Sequence, residues 1–265
     1  IIINMNASIT NPNQSSEYKF TYIIGYRHSS ERIFNLKRVL DWITRFNGVE
    51  VIIVEQDSTP KLHTFSIFGF KHIFTKSNMP YNRSWAFNVG MKASTTQIVV
   101  FGDSDLIMDP NEFIKSLNLI NQYECVSPYT SVLDLNQGES NLSFDKLTSI
   151  PRPGRGETDN QKINLCGGIV MYRKDSIYRI GGWNERFIGW GGEDNYQEYK
   201  TKNLMSWAEN KAKCFHLWHT RPSPENNLYM KTMELLNKLV SMPIDDTVKL
   251  IRADLPKIGM KNKYA

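Results

Sequence analysis

Three short stretches of this sequence carry residue types that could do chemistry. Phe101-Gly-Asp-Ser-Asp-Leu106 sets two carboxylates two positions apart at the end of an apolar run. Alternate side chains of an extended segment point the same way, so Asp103 and Asp105 can approach one hard divalent ion, and such an ion neutralises a bound diphosphate. An Asp-rich turn capping a helix near Pro110 accounts for the same residues. The second stretch, Gly181-Gly-Trp-Asn-Glu-Arg-Phe-Ile-Gly-Trp-Gly-Gly-Glu-Asp194, combines close-approach glycines, two tryptophans with flat faces suited to sugar rings, and an acidic pair opening a helix. Asp194 could there accept a proton from an attacking hydroxyl. Helix capping by Glu193 and Asp194, with Trp183 and Trp190 in the core, is the competing account. The third, His216-Leu-Trp-His219, spaces two imidazoles that could complete a metal shell begun by a distant carboxylate, or could be purely structural.

The elements that must position these residues follow from hydrophobic spacing. Phe20–Gly25, 49–54, 70–75 and 97–101 are short apolar, β-branched runs that read as strands. Between them, Glu31–Phe46 and Trp85–Lys92 repeat apolar residues at helical spacing. Strands alternating with helices predict an α/β fold with a mostly parallel sheet covered on both faces, whose ligands bind at the carboxyl ends of strands. The loops after Ile24 and Phe101 are therefore the first places to look. Further on, 111–122 reads as a helix, 134–162 as a long loop, Leu165–Tyr172 as a strand, 174 onward as a short helix, and 193–202 as a helix. A strand near 213–218 and helices over 224–240 and 245–255 complete the pattern.

Composition narrows the function classes. At 265 residues with 40% hydrophobic and 22% charged residues, the chain suits one large α/β domain, or one domain with a small appendage. A net charge of +5 suits an acidic ligand such as a nucleotide diphosphate, but the excess is too scattered to indicate nucleic acid. Cys125, Cys166 and Cys214 frame neither a disulfide scaffold nor a zinc site, which points to a reducing compartment. No run approaches the ~18 apolar residues of a membrane span, so stable membrane insertion is not expected. Of the sequons at Asn6, Asn13, Asn82 and Asn141, the one at Asn82 adjoins Arg83, where a glycan would obstruct a ligand; this favours the cytoplasm.

Read together and in order, these stretches resemble the beta-1,4-galactosyltransferase family over roughly 20–221. Ile23-Ile-Gly-Tyr-Arg-His28 is similar to the family's strand ending in Pro-Phe-Arg, with Gly25 in place of proline. The resemblance implies that Arg27 contacts the nucleotide. Tyr81-Asn-Arg-Ser-Trp-Ala-Phe-Asn-Val-Gly90 resembles the segment lying against the donor, which implies that role for Arg83 and Asn88. Phe101–Ile107 looks like the family's Asp-Val-Asp motif, in which the first Asp faces the donor and the second binds metal, here Asp103 and Asp105. Cys166-Gly-Gly-Ile-Val-Met resembles the strand entering the acceptor side. Gly189-Trp-Gly-Gly-Glu-Asp194 matches the family's most diagnostic string without a change.

By that resemblance Trp190 lines the sugar and acceptor site, Glu193 helps bind the donor, and Asp194 is the base; from residue type alone, Trp183 is a further candidate for the sugar and Gly191 and Gly192 for close approach of backbone to the donor. His219 falls on the family's metal histidine, and His216 stands where methionine is common. The resemblance thus implies a GT-A nucleotide-sugar-binding domain over 18–221, with a donor half near 18–130 and an acceptor half near 163–221. A lead-in over 1–17 and a helical extension over 222–265 flank it. The implied activity is metal-dependent, inverting transfer of a hexose or N-acetylhexosamine from a UDP-sugar to a glycan or glycoconjugate hydroxyl, with Mn2+ or Mg2+ as cofactor. Competing readings are a retaining enzyme of the polypeptide GalNAc-transferase type, a nucleic-acid-modifying glycosyltransferase, and a non-catalytic sugar-nucleotide-binding protein.

Overall fold

A computed structural model describes residues 19–62, 69–158, 163–220 and 226–264. The lead-in expected over 1–17, the sequons at Asn6 and Asn13, part of the 134–162 loop and the start of the helix expected from 224 lie outside the described residues. The first half runs β1 (Phe20–Tyr26), α1 (Arg32–Ile43), β2 (Val49–Asp57), β3 (Lys71–Lys76), α2 (Arg83–Ala93) and β4 (Ile98–Gly102). It continues through β5 (Leu106–Met108), α3 (Pro110–Leu119), β6 (Cys125–Ser127), β7 (Ser131–Asp134) and α4 (Phe144–Thr148). The second half contains β8 (Val170–Arg173), α5 (Lys174–Arg179), α6 (Glu193–Leu204), β9 (Trp207–Glu209), β10 (Lys213–His216), α7 (Asn226–Val240) and α8 (Ile244–Asp254).

Seven strands form the main sheet in the order β3-β2-β1-β4-β8-β6-β9. β3, β2, β1 and β4 are mutually parallel, and β8 alone runs against its neighbours β4 and β6. Both faces of the sheet are buried, as β1 shows residue by residue. Tyr22 and Ile24 enter one core with Trp42, Phe113 and Leu117, while Ile23 enters the opposite core with Phe87, Phe101 and Trp183. That alternation is the two-residue period of a strand covered on both sides, and it explains why the run is apolar throughout.

A second sheet of three strands, β5-β10-β7, stands beside the carboxyl end of β4. β10 falls within the strand expected near 213–218, whereas β5 and β7, of three and four residues, are too short for any period to be legible. Two expectations are corrected. The strand expected over Leu165–Tyr172 begins only at Val170, because Gly168 turns the chain at φ +75° where a β-carbon would meet the Tyr129 hydroxyl at 2.3 Å. The long loop after 134 is partly organised, with a 3-10 turn at Glu139–Asn141 followed by α4.

The C-terminal segment packs onto the body. Trp85 Nε1 donates to the carbonyl of Met260 at 2.8 Å, and Tyr264 meets the Trp85 ring edge-on. Among the described residues, no helix is long and apolar enough to cross a membrane, and Cys125, Cys166 and Cys214 are free and buried.

Candidate active site

The carboxyl ends of β1, β2 and β4 and the N-terminus of α2 meet at one place. Asn82 caps α2, its side chain accepting from the Trp85 amide at 2.9 Å and donating to the Glu185 carbonyl at 2.8 Å. The cap starts the helix at Arg83. Arg83 Nε then donates to Asp103 Oδ1 at 2.7 Å, and Nη2 donates to the Gly168 carbonyl at 3.3 Å. Its guanidinium lies over the rings of Phe87 and Trp183 at 4.6 and 5.1 Å.

Two residues beyond Asp103, the buried Asp105 meets a different set of partners. Pairing of β5 with the antiparallel β10 sets Leu106 opposite His216, and the Leu217 amide donates to the Asp105 carbonyl at 2.8 Å. His219 Nε2 consequently lies 3.3 Å from Asp105 Oδ2, and His216 Nε2 lies 3.8 Å from Oδ1. One ligand atom from each of the three residues falls within 4.8 Å of the others. One carboxylate and two imidazoles at such spacing fit a first-row divalent cation. Each ring is held through its other nitrogen: His216 Nδ1 is 2.9 Å from Asp134 Oδ1, and His219 Nδ1 donates to the Thr220 carbonyl at 3.0 Å. Glu31 in turn accepts from the Thr220 amide and hydroxyl at 2.8 and 2.9 Å.

Charge across the site is unevenly compensated. Burial works against the Arg83 charge, but Asp103 and Glu193 more than offset it and hold the guanidinium protonated. Burial, partly countered by Arg83 and reinforced by Asp105, raises the Asp103 carboxyl. Asp105 is held at about 2, since hydrogen bonding to His219 and the nearness of His216 outweigh its burial. Glu193 is pushed up to about 7 by burial and by neighbouring Asp194, against the pull of Arg83, whose Nη1 lies 3.9 Å away. Among the described residues, its buried Oε2 has no hydrogen-bond partner. An orphaned carboxylate oxygen in a cluster of cationic and acidic groups is the kind of feature that a polar ligand resolves.

Asp194, at the first turn of α6, accepts from the Asn195 amide through Oδ1 at 2.8 Å and from Asn164 Nδ2 through Oδ2 at 3.2 Å. Neither capping alternative describes the acidic residues well. Asp109, not Asp103 or Asp105, caps the helix at Pro110, accepting from the Asn111 and Glu112 amides. Gly192 occupies the N-cap of α6, and no side chain caps that helix.

Two expected ligand-facing residues are corrected. Trp183 is wholly buried, packed on Phe87 and Phe101 at 5.1 and 5.6 Å, so it presents no face to a sugar. Burying an indole this large beneath α2 and β4 is worth more to the fold than exposing it. Asn88 is also wholly buried. Its Oδ1 accepts from the Trp183 amide at 2.9 Å, and its Nδ2 donates to the Trp183 carbonyl and to Glu185 Oε1 at 2.7 and 2.8 Å. It clasps the 183–185 segment to α2, with no group left to offer a donor.

Trp190 is 67% exposed, one face stacked on Tyr229 of α7 at 5.5 Å. Gly191 and Gly192 adopt φ +102° and +86°, and β-carbons there would press on Tyr229 and Phe187 at 3.0 and 2.9 Å. The glycines thus admit α7 and the Phe187 ring against the loop. Arg27 is half-buried at the end of β1, its Nε and Nη2 donating to the Gln56 and Met79 carbonyls at 3.0 and 2.7 Å. Residues that sequence reading missed are Asp134, Asn164, Glu31 and Tyr229. No local pattern marks them, because each meets its partner across 30 to 189 positions.

A family model described as the N-terminal domain of galactosyltransferase matches residues 157–203. Beta-1,4-galactosyltransferase 5 of Danio rerio is 28% identical over 133 residues, covering 48% of this chain. The match spans only 28% of that protein's length. Among solved structures, GalNAc-T7 with UDP, GalNAc and Mn2+ superposes with a TM-score of 0.57 at 13% identity, covering 92% of this chain and 55% of that one. Residues 1–349 of Staphylococcus aureus TarS superpose with a TM-score of 0.54 at 15% identity, covering 90% of this chain and 71% of that one. The chain therefore has the GT-A fold, an α/β architecture with a mostly parallel central sheet. Over the matched residues its sequence is similar to beta-1,4-galactosyltransferases.

Proposed function

We propose that this chain is a metal-dependent inverting glycosyltransferase that moves a hexose or N-acetylhexosamine from a UDP-sugar to a hydroxyl of a glycan or glycoconjugate. The observation that carries this reading is the convergence of Asp105, His216 and His219 beside the Arg83–Asp103–Glu193 cluster. A divalent ion held by Asp105, His219 and His216 would offset the charge that builds on the departing diphosphate. Mn2+ suits the two imidazoles better than Mg2+, which prefers an all-oxygen shell.

In this reading Arg27 and Arg83 bind the nucleotide, and Asp103, oriented by Arg83, faces the donor sugar. Glu193 turns its unpartnered oxygen toward a donor hydroxyl. Asn164 and the Asn195 amide orient the Asp194 carboxylate, which takes the proton of the acceptor hydroxyl. As that oxygen bonds to the anomeric carbon from one side, the bond to the phosphate oxygen breaks on the other, and UDP leaves with the electron pair. Trp190 offers its exposed indole to the acceptor.

A panel of UDP-sugars with Mn2+ and short glycan acceptors tests the proposal. Transfer is expected, with inversion visible in the anomeric proton signal of the product. Asp194→Asn should keep nucleotide binding and lose turnover by ~10²–10⁴. Asp105→Ala should lose affinity for both metal and donor. Full activity of either variant, or a product of retained configuration, contradicts the assigned roles.

A further inference from the structure

We infer that Asp134 is a positioning residue for the metal site, holding His216 in the orientation and tautomer that send its Nε2 toward Asp105 and His219. The inference rests on the proposed reading of those three side chains as metal ligands. β10 and β7 are parallel neighbours, and in their register His216 stands directly opposite Asp134. Their side chains meet at 2.9 Å, Nδ1 to Oδ1, while His216 Nε2 lies on the far side of the ring, 3.8 Å from Asp105.

An ionised carboxylate only accepts hydrogen bonds, so Nδ1 must carry the proton and Nε2 is left with the free electron pair that a cation needs. Asp134 is itself held in place. Arg155 donates to both of its oxygens, Nε to Oδ2 at 2.7 Å and Nη2 to Oδ1 at 3.2 Å. The Arg155 backbone pairs with Val132 on the same strand as Asp134, its amide donating at 2.8 Å and its carbonyl accepting at 3.0 Å. Strand, guanidinium and carboxylate thus form one frame around the His216 ring. His219 draws its orientation from the Thr220 carbonyl instead, so Asp134 acts on the site through His216.

Titration of the purified protein with Mn2+, followed by the electron paramagnetic resonance signal of the free ion, reads this directly. Loss of a group orienting a metal-binding histidine typically weakens the metal by ~10–100-fold, and Asp134→Ala is expected to fall in that range. Asp134→Asn, whose amide oxygen can still accept from Nδ1, should recover part of the loss. In a His216→Ala background, Asp134→Ala should cost nothing further, because the two residues act as one unit. Melting temperatures without metal establish that each variant is folded. Wild-type Mn2+ affinity in both Asp134 variants would overturn the inference alone, as would an equal loss in the His216→Ala background. Failure of the unmodified protein to bind Mn2+ would overturn the metal-site reading and this inference with it.

Discussion

Arg83 stands between carboxylates that compete for it. It satisfies Asp103 at 2.7 Å and reaches Glu193 only at 3.9 Å, which leaves Glu193 buried with one oxygen unpartnered. The consequence is a measurable dependence of stability on pH. Glu193 keeps its proton in the folded chain up to about 7, whereas an ordinary glutamate ionises near 4.5. Between those values the unfolded chain releases its proton first, so this residue makes the folded state progressively less stable as pH rises from 4.5 to 7, and the penalty persists above. Glu193→Gln removes the ionisation. The variant should match the wild type near pH 4 and exceed it at pH 8 by on the order of 1–3 kcal/mol. Thermal melts that run parallel across that range would show that Glu193 is ionised normally. A fold that tolerates such a penalty stores it where ligand contact can relieve it.

At the scale of elements, α2 carries Arg83, which the proposed reading assigns to the nucleotide, and a few side chains fix its start. Gln56 at the end of β2 accepts from the Asn82 amide at 2.7 Å and donates to its carbonyl at 3.2 Å. The Asn82 side chain, buried at 2% exposure, joins the helix to Glu185 in the loop leading to Gly189. Burial here also means that the sequon at Asn82 has no room for a glycan. Replacing Asn82 with Ala removes the cap, worth ~0.5–2 kcal/mol, and strands the buried Trp85 amide and Glu185 carbonyl at a further ~1–3 kcal/mol for a lost partner. Chemical denaturation should show a loss of a few kcal/mol, with weaker nucleotide binding because Arg83 loses its fixed origin. Unchanged stability would mean that the cap is dispensable.

At the scale of the whole molecule, the site is assembled from both halves of the chain. α2 and the β4–β5 junction supply Arg83, Asp103 and Asp105, while α6 and the end of β10 supply Glu193, Asp194 and the histidines. A ligand contacting both halves binds only the folded protein, so it must raise the melting temperature. UDP with Mn2+ should stabilise by about 3 kcal/mol at a hundredfold excess over the dissociation constant, and Mg2+ should be less effective. Absence of any shift with UDP and Mn2+ together would remove the donor site as described. α7 also joins this assembly, with Tyr229 against Trp190 and Leu228 against Gly189.

Much of this was legible along the chain. Phe20–Tyr26 and Gln97–Phe101 announce buried strands by continuous apolar runs, and Asp103, Asp105, Glu193 and Asp194 stand in strings short enough to recognise as units. Those readings depend on local periodicity and on residue type, which the chain carries without folding. Burial and partnership over long separations do not. Trp183 and Trp190 are chemically identical and seven positions apart, yet one fills the core and the other faces solvent. Asp134 bears no local mark, and only the parallel register of two four-residue strands sets it opposite His216. Type and spacing determined which chemistry this protein could hold; tertiary packing alone decided which side chains are free to perform it, because exposure and hydrogen-bond partners are properties of contacts between distant segments.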